Sequence, residues 1–294
     1  MTMPNARIWI FDVDHGSCAF VRFPSGNTLM IDCGRRHDFS PARYIYDSEL
    51  SQLERDSQHK VDKLVVSHPH DDHIEDIHNV RLLLNPRVLL QQEYNWPDVK
   101  EAQSADYENL REYVSWQDIY NEQATEPDWG GWSVSYFCVP VEVAKTLAGS
   151  TINNSSYVVV ANRGPFKIVL PGDLEVAGWE YLLENPAFRA AINGTRIFVT
   201  SHHGHDSGFT PLIYDAMGLP DFNVISCHYR DESVCSSYRS EGCASGVQYN
   251  NGFRRSFTTR SDHSLLLEVD EYGRYQGTFF ELAPNESTIP GLRF

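Results

Sequence analysis

No Cys-X-X-Cys pair occurs among the six cysteines, Cys18, Cys33, Cys138, Cys227, Cys235 and Cys243. Scattered thiols without an export signal are expected to stay reduced. The last three are spaced by eight in a Ser/Gly-rich stretch, which leaves a further metal site there open. No apolar run approaches the roughly 20 residues that a membrane-spanning helix needs. Residues 1–7 lack a basic region followed by an apolar stretch and a cleavage site, so the expectation is a soluble cytoplasmic protein with no membrane partner. Positive charge is also scarce. Lys and Arg total 24 against 40 Asp and Glu, a net charge of −16. Phosphate-backbone binders usually carry a basic surface, so bulk charge argues against tight, non-specific DNA binding. It does not exclude a phosphodiester substrate, because divalent ions in a pocket reverse the local sign.

No repeat, low-complexity tract or linker divides the 294 residues. With 41% hydrophobic and 12% aromatic residues, the chain is globular and long enough for a large core. The expectation is one α/β (α+β) domain over 1–294, with an aromatic-rich insertion at about 91–133 and a long polar loop at about 229–256.

The organising stretch is Ser67-His68-Pro69-His70-Asp71-Asp72-His73, directly after the apolar Lys63-Leu64-Val65-Val66. A Val/Leu-rich run that ends in such a cluster reads as a buried strand delivering a loop to a site. Imidazoles and carboxylates suit zinc and its first-row neighbours. His68 and His70 share a parity and can grip one ion, while Asp72 and His73 can reach a second. The bland alternative is a solvated helix start capped by Asp71 or Asp72; it accounts for one Asp and none of the histidines.

His68-X-His70-X-Asp72-His73 resembles the signature of the metallo-β-lactamase-fold hydrolases, and the chain is most similar to the hydrolase domain of DNA-uptake competence proteins and their free-standing relatives. The resemblance runs over about residues 7–270. It implies a four-layer αββα sandwich with metal loops at one edge. It also implies two divalent ions, zinc or else manganese or iron, and hydrolysis by water activated between them. Further segments carry the likeness. Residues 7–13, 18–23 and 28–32 read as an opening meander, similar to the competence-type opening. Asp14 stands where Gly is usual there and Ser17 where Asp is usual, so the loop around His15 can have its own, substrate-facing role. Asp12 and Asp32 end strands; the resemblance makes Asp32 a support of the metal loop, and a turn role is the alternative for both.

Asn153-Asn154-Ser155-Ser156, the strands 158–160 and 166–170, and Pro171-Gly172-Asp173 are similar to the family's second half. Asp173 sits at a strand end before a helix expected over 176–183, where a carboxylate can bridge two ions. Many relatives carry another histidine in this half, but none occurs between His78 and His202. The first ion is left with His68, His70 and Asp173, plus solvent or an amide oxygen such as that of Asn153 or Asn154. A weakened first site, or a single ion, stays open.

His202-His203-Gly204-His205 resembles the family's His-His-Gly-Ser. Position relative to the Gly matches His203 to the family's last metal histidine, and adjacent residues of an extended chain point oppositely, so His202 would face substrate or brace the loop. His205 is a further candidate for substrate contact, and His228, just after a strand at 221–226, for the pocket rim. Residues 256–259, 264–269 and 277–282 read as a closing meander.

The expected metal ligands are thus His68, His70, Asp72, His73, Asp173 and His203, with Asp72, Asp173 and His202 as catalytic groups. Asp12, His15, Asp32, Asn154, His205 and His228 are candidates for support or substrate contact. The reading is a metal-dependent phosphodiesterase of nuclease type, with nucleic acid as a conceivable substrate despite the missing basic patch. Hydrolysis of a small phosphodiester headgroup, nucleotide signal or lactone is the alternative, and a non-catalytic, metal-stabilised binding module is the third.

Overall fold

The computed structural model describes residues 5–50, 60–103, 108–121, 124–228, 234–250 and 252–285. Antiparallel hairpins and five parallel pairings build its two main sheets. Strands β1 (Ala6–Ile10), β2 (Ala19–Arg22), β3 (Thr28–Ile31), β4 (Lys63–Val65) and β5 (Val88–Leu90) belong to the first sheet. Strands β6 (Ser133–Phe137), β7 (Val158–Arg163), β8 (Phe166–Leu170), β9 (Ile197–Val199) and β10 (Phe222–Ile225) belong to the second. A small ribbon of β11 (Val247–Tyr249) and β12 (Gly252–Arg254) follows, then β13 (Ser256–Thr258), β14 (Ser264–Val269) and β15 (Tyr275–Phe280).

The seven-stranded sheet runs β15-β14-β1-β2-β3-β4-β5 and the six-stranded sheet β13-β10-β9-β8-β7-β6. β3, β4 and β5 are parallel, as are β8, β9, β10 and β13. Both main sheets therefore gather strand C-termini, and those ends carry the site. The closing meander is corrected here. β14 and β15 pair with each other in the first sheet, but β13 joins the second beside β10.

Alternation along each strand sorts side chains into layers. Ile8 and Ile10 enter the inter-sheet core with Val21, Ile31, Val159, Ile168 and Val224. Trp9 and Phe11 point the other way, into a core covered by helices. A matching cluster behind the second sheet packs Val158, Val160 and Phe198 against Trp179, Phe188 and Ile213. Two sheets face to face, each backed by helices, are the expected four layers, and each large core side chain contributes roughly 1.5–3 kcal/mol on burial.

The helix expected over 176–183 is Val176–Leu183. The helical stretch after the metal-type signature is broken into Asp71–Ile74, Ile77–Asn79 and a π-helical Val80–Leu84, ended by Asn85 at φ 40°. Asp76 is the cause. Its amide donates to Cys33 O, while its buried carboxylate accepts from Ser40 Oγ, Ala42 N and Asn79 Nδ2.

Residues 91–133 form helices Trp96–Gln103 and Glu108–Ser115. Tyr113 and Trp116 are buried in the helix-covered core, and Trp129 and Trp132 close the inter-sheet core against Phe23. These rings are packing; Tyr107 lies outside the described residues. No described helix is long and apolar enough to cross a membrane. Cys227, Cys235 and Cys243 are buried free thiols, and they form no metal-holding group among the described residues.

Candidate metal centre

Three loops, each at a strand C-terminus, bring the ligand-type side chains together. The segment after β4 starts the helix Asp71–Ile74, whose N-cap is His70 with no side-chain bond. Neither Asp71 nor Asp72 caps it, so the bland reading of this stretch falls. Asp173 follows β8, and His202 and His203 follow β9. The ligand atoms of Asp72, His73, Asp173 and His203 lie within 4.8 Å of one another, as do those of His68, His70 and Asp173. Either group can hold a metal ion, and Asp173 belongs to both.

Within the first group, His203 Nε2 lies 3.0 Å from Asp72 Oδ2 and 3.3 Å from Asp173 Oδ2. His73 Nε2 lies 3.2 Å from Asp173 Oδ1. Both Nε2 atoms are buried, and neither has a partner in hydrogen-bonding geometry. Two inward, unbonded ring nitrogens beside carboxylates are what a cation site requires. In the second group, His68 Nε2 is 3.0 Å from His70 Nδ1 and 3.8 Å from Asp173 Oδ2.

A supporting shell fixes the rings of His73, His203 and His68 from behind. Asp32 accepts from Ser67 N at 2.7 Å and Ser67 Oγ at 2.9 Å, and its Oδ2 meets His73 Nδ1 at 2.8 Å. His203 Nδ1 faces the Ser226 carbonyl at 3.2 Å. His68 Nδ1 faces Ser67 Oγ and Ser156 Oγ, and the latter accepts from Asp173 N. Partners of this sort fix ring orientation and tautomer. The Asp72 backbone is wedged between two glycines: a Cβ on Gly16 or Gly34 would come within 2.3 or 2.4 Å of Asp72 O.

Charge is matched the same way. Burial lowers an imidazole pKa, and His68 accordingly sits well below the usual value. At His73 burial is outweighed by Asp173, Asp32 and Asp72, which raise the pKa well above it. At His203, Asp173 and Asp72 likewise overcome burial and raise it to about 10. Asp173 is held well below the carboxylate range despite its burial, chiefly by His203 and His73. Without a cation, protons must fill the charge gap.

At the rim, the His15 ring lies tilted by 39° against His203 with centroids 4.2 Å apart and approaches Asp72 Oδ2 at 3.7 Å, its side chain 49% exposed. His202 Nε2 is 3.8 Å from Asp173 Oδ2, its Nδ1 meets Ser207 Oγ at 2.8 Å, and His205 lies 5.3 Å away by ring centroids. His203 is 2% exposed and His202 24%. The reason is not strand alternation. Both have positive φ, 50° and 53°, and a left-handed turn separates their rings.

Four candidates, Asn153, Asn154, Asp12 and His228, lie outside both groups. The Asn154 amide is engaged by its own loop, donating to Ala148 O and accepting from Gly178 N, so the suggested oxygen donor is a brace. Asn153 Nδ2 donates to Glu175 Oε1. Asp12 approaches Arg36 Nη1 at 3.5 Å and its amide donates to Ser264 Oγ, a strand-end role. His228 is half-buried after β10 and in neither group. Sequence reasoning missed Ser67, Ser156 and Glu175, which lies 3.7 Å from His202 Nδ1. Adjacency to the signature was the one signal for Ser67.

A two-sheet sandwich with clustered histidines and aspartates at strand ends defines a class of metal-site proteins. The chain belongs to the metallo-beta-lactamase superfamily, whose model matches residues 11–209. Among solved structures, a diphosphatase from the PhnP family is similar over 75% of this chain and 86% of its own, at 14% identity and TM-score 0.41. A Cronobacter sakazakii metallo-β-lactamase with a HARLDQ motif is similar over 72% of this chain and 81% of its own, at 13% identity and TM-score 0.39. No curated protein matches the chain.

Proposed function

We propose that this chain is a divalent-metal-dependent hydrolase of the phosphodiesterase type, acting as a nuclease. The supporting observation is the pair of ligand groups that share Asp173, with two buried Nε2 atoms that no hydrogen bond satisfies. His68, His70 and Asp173 would hold one ion, and Asp72, His73, Asp173 and His203 a second, as zinc, manganese or iron. A divalent cation there supplies Lewis acidity and lowers the pKa of water from ~15.7 to ~7. The preference for phosphorus over a lactam rests on the competence-like opening, the Asn-X-X-Ser strand and the absent histidine between His78 and His202.

The protein's own groups divide the remaining work. Asp72 lies at the mouth, between His15 and His203, where its carboxylate can orient an attacking water. His202, with Nδ1 accepting from Ser207 Oγ, would present an Nε2 proton beside Asp173, placed to meet the leaving oxygen. Asp32, Ser67 and Ser226 keep the ring orientations that this alignment needs.

The experiment loads purified protein with manganese or zinc and compares bis-p-nitrophenyl phosphate, single-stranded DNA and a nitrocefin-type lactam. DNA cutting that Asp173→Ala abolishes supports the proposal. Ester cleavage without DNA cleavage selects a small-molecule hydrolase, the reading that the net charge of −16 favours. Metal binding with silence on all three overturns both.

A further inference from the structure

The second sheet ends on β13, and beside this edge lies an open cleft of about 400 Å³ lined by Arg239, Phe253, Arg254, Arg255 and Arg260, with no acid among its lining residues. In a chain with 24 basic residues against 40 acidic ones, four arginines around one cleft are a local inversion of sign. We propose that this cleft binds single-stranded nucleic acid, the Arg239 and Arg255 guanidinium groups taking phosphates and Phe253 stacking on a base. The inference names the substrate class of the metal centre and rests on the nuclease reading for its purpose, but the binding itself needs no metal.

Cationic capacity remains open in the cleft. Arg239 is exposed and has no ion pair among the described residues. Arg255 Nε is buried without a hydrogen-bond partner. Among the described residues its Nη2 meets Glu241 Oε1, on a side chain 88% exposed, where water screens the pair. Arg254 is committed: both Nη atoms bind Asp262, at 2.5 and 2.8 Å, and the guanidinium lies 4.3 Å above Phe257. It stiffens the wall rather than reaching out.

The aromatic element is Phe253, 55% exposed on the ribbon and backed by the Arg255 guanidinium at 5.0 Å from the ring centroid. A large apolar ring kept in water beside a row of arginines suits a base plane. Grooves for single strands combine these two features, because every base has a π-face and every nucleotide a phosphate. An acidic peptide would use the arginines and leave the ring idle. A duplex would hide its bases from it.

The cleft runs the length of β13, and its Arg260 wall reaches the end of the sheet that carries the candidate metal centre. Arg260 follows Thr259, whose Oγ1 accepts from Cys227 N at 3.1 Å. Cys227 follows Ser226, whose carbonyl faces His203 Nδ1. A strand held along β13 is therefore one β-strand away from the loop that orients a metal-site histidine.

The test is fluorescence anisotropy of a labelled oligothymidylate of about 12 nucleotides, in EDTA so that nothing is cut. Wild-type protein is expected to bind, more weakly as salt rises from about 50 to 200 mM. Arg239→Glu is expected to weaken binding roughly tenfold at low salt, and Phe253→Ala about fivefold or more. Both side chains are exposed, so the variants should fold. Absence of binding at low salt, wild-type affinity in both variants, or equal competition by oligoglutamate would each overturn the proposal. Cleavage is followed separately with manganese. An oligonucleotide bound through Arg239 and Phe253 but never cut counts against the nuclease reading alone. One cut with no dependence on either residue counts against this site alone.

Discussion

Asp32 Oδ2 and His73 Nδ1 meet at 2.8 Å, 41 residues apart in sequence, and the same carboxylate takes both the amide and the hydroxyl of Ser67. Asp32 thereby holds one ring of the candidate metal centre and the start of the loop that carries two others. Asp32→Asn removes the charge and turns a donor toward a donor. Zinc affinity, read by competition with a chromophoric chelator, is expected to fall about 10–100-fold. Unchanged affinity would mean that the ring is positioned by something else.

The two adjacent histidines should separate cleanly. His203→Ala is expected to empty the group that also contains Asp72 and His73, whereas His202→Ala should retain its metal and lose turnover. Asp173→Ala should deplete both groups. Elemental analysis of each variant beside its steady-state rate decides the matter. Loss of metal in His202→Ala with full metal in His203→Ala would reverse the assignment.

Metal uptake should depend on pH with a definite sign. The metal-free protein holds His203 with a pKa raised to about 10, and His73 is raised as well. Raised folded-state values mean that these protonated rings stabilise the metal-free fold fully below about pH 6.5, and that this contribution is lost as pH climbs through about 10. A cation must displace those protons, so affinity is expected to increase with pH and level off above about 10. Calorimetry at pH 7 in buffers of different ionisation enthalpy should show net proton release on zinc binding. A value near zero would contradict the charge scheme.

Gly34→Ala tests the wedge around Asp72. The new Cβ would meet Asp72 O at 2.4 Å and Ser17 O at 2.9 Å, both backbone atoms. A loss on the order of 1–3 kcal/mol in urea denaturation is expected, with weaker zinc binding alongside it. Full stability with unaltered zinc affinity would show that the loop has slack.

Trp116→Ala separates packing from gating in residues 91–133. Trp116 is buried among the aromatics of the helix-covered core, so its removal should cost about 3–5 kcal/mol. Metal content and the turnover of the folded fraction are expected to hold. Turnover lost at constant stability would instead mark a lid.

The parts legible in the sequence were those where chemistry leaves few alternatives. Three histidines and two aspartates behind a Val/Leu strand have little reason to coexist except around a cation, and the helix Val176–Leu183 follows from an apolar run entered after Pro171-Gly172-Asp173. What stayed hidden depends on geometry that residue types do not encode. Ser256-Phe257-Thr258 reads alike in either sheet, and only its partner β10 decides. His203 was placed among the ligands by its neighbour Gly204, but the alternation argument failed, because both histidines are left-handed. Ser67 and Ser156 look like any other serine until an imidazole is found against them. Asn154, polar and beside a strand, looked like a ligand for the opposite reason: its bonds to Ala148 and Gly178 are invisible in one dimension.

The position of Asp173 has a consequence for tuning. Among the described residues, its carboxylate is the one side chain shared by both groups, so charge that it gives to one it withholds from the other. Were each group to take a cation, filling one would alter the hold of the other by the same factor in both directions. Neither affinity could then be adjusted alone, and a change that strengthens one compartment would be felt in the next.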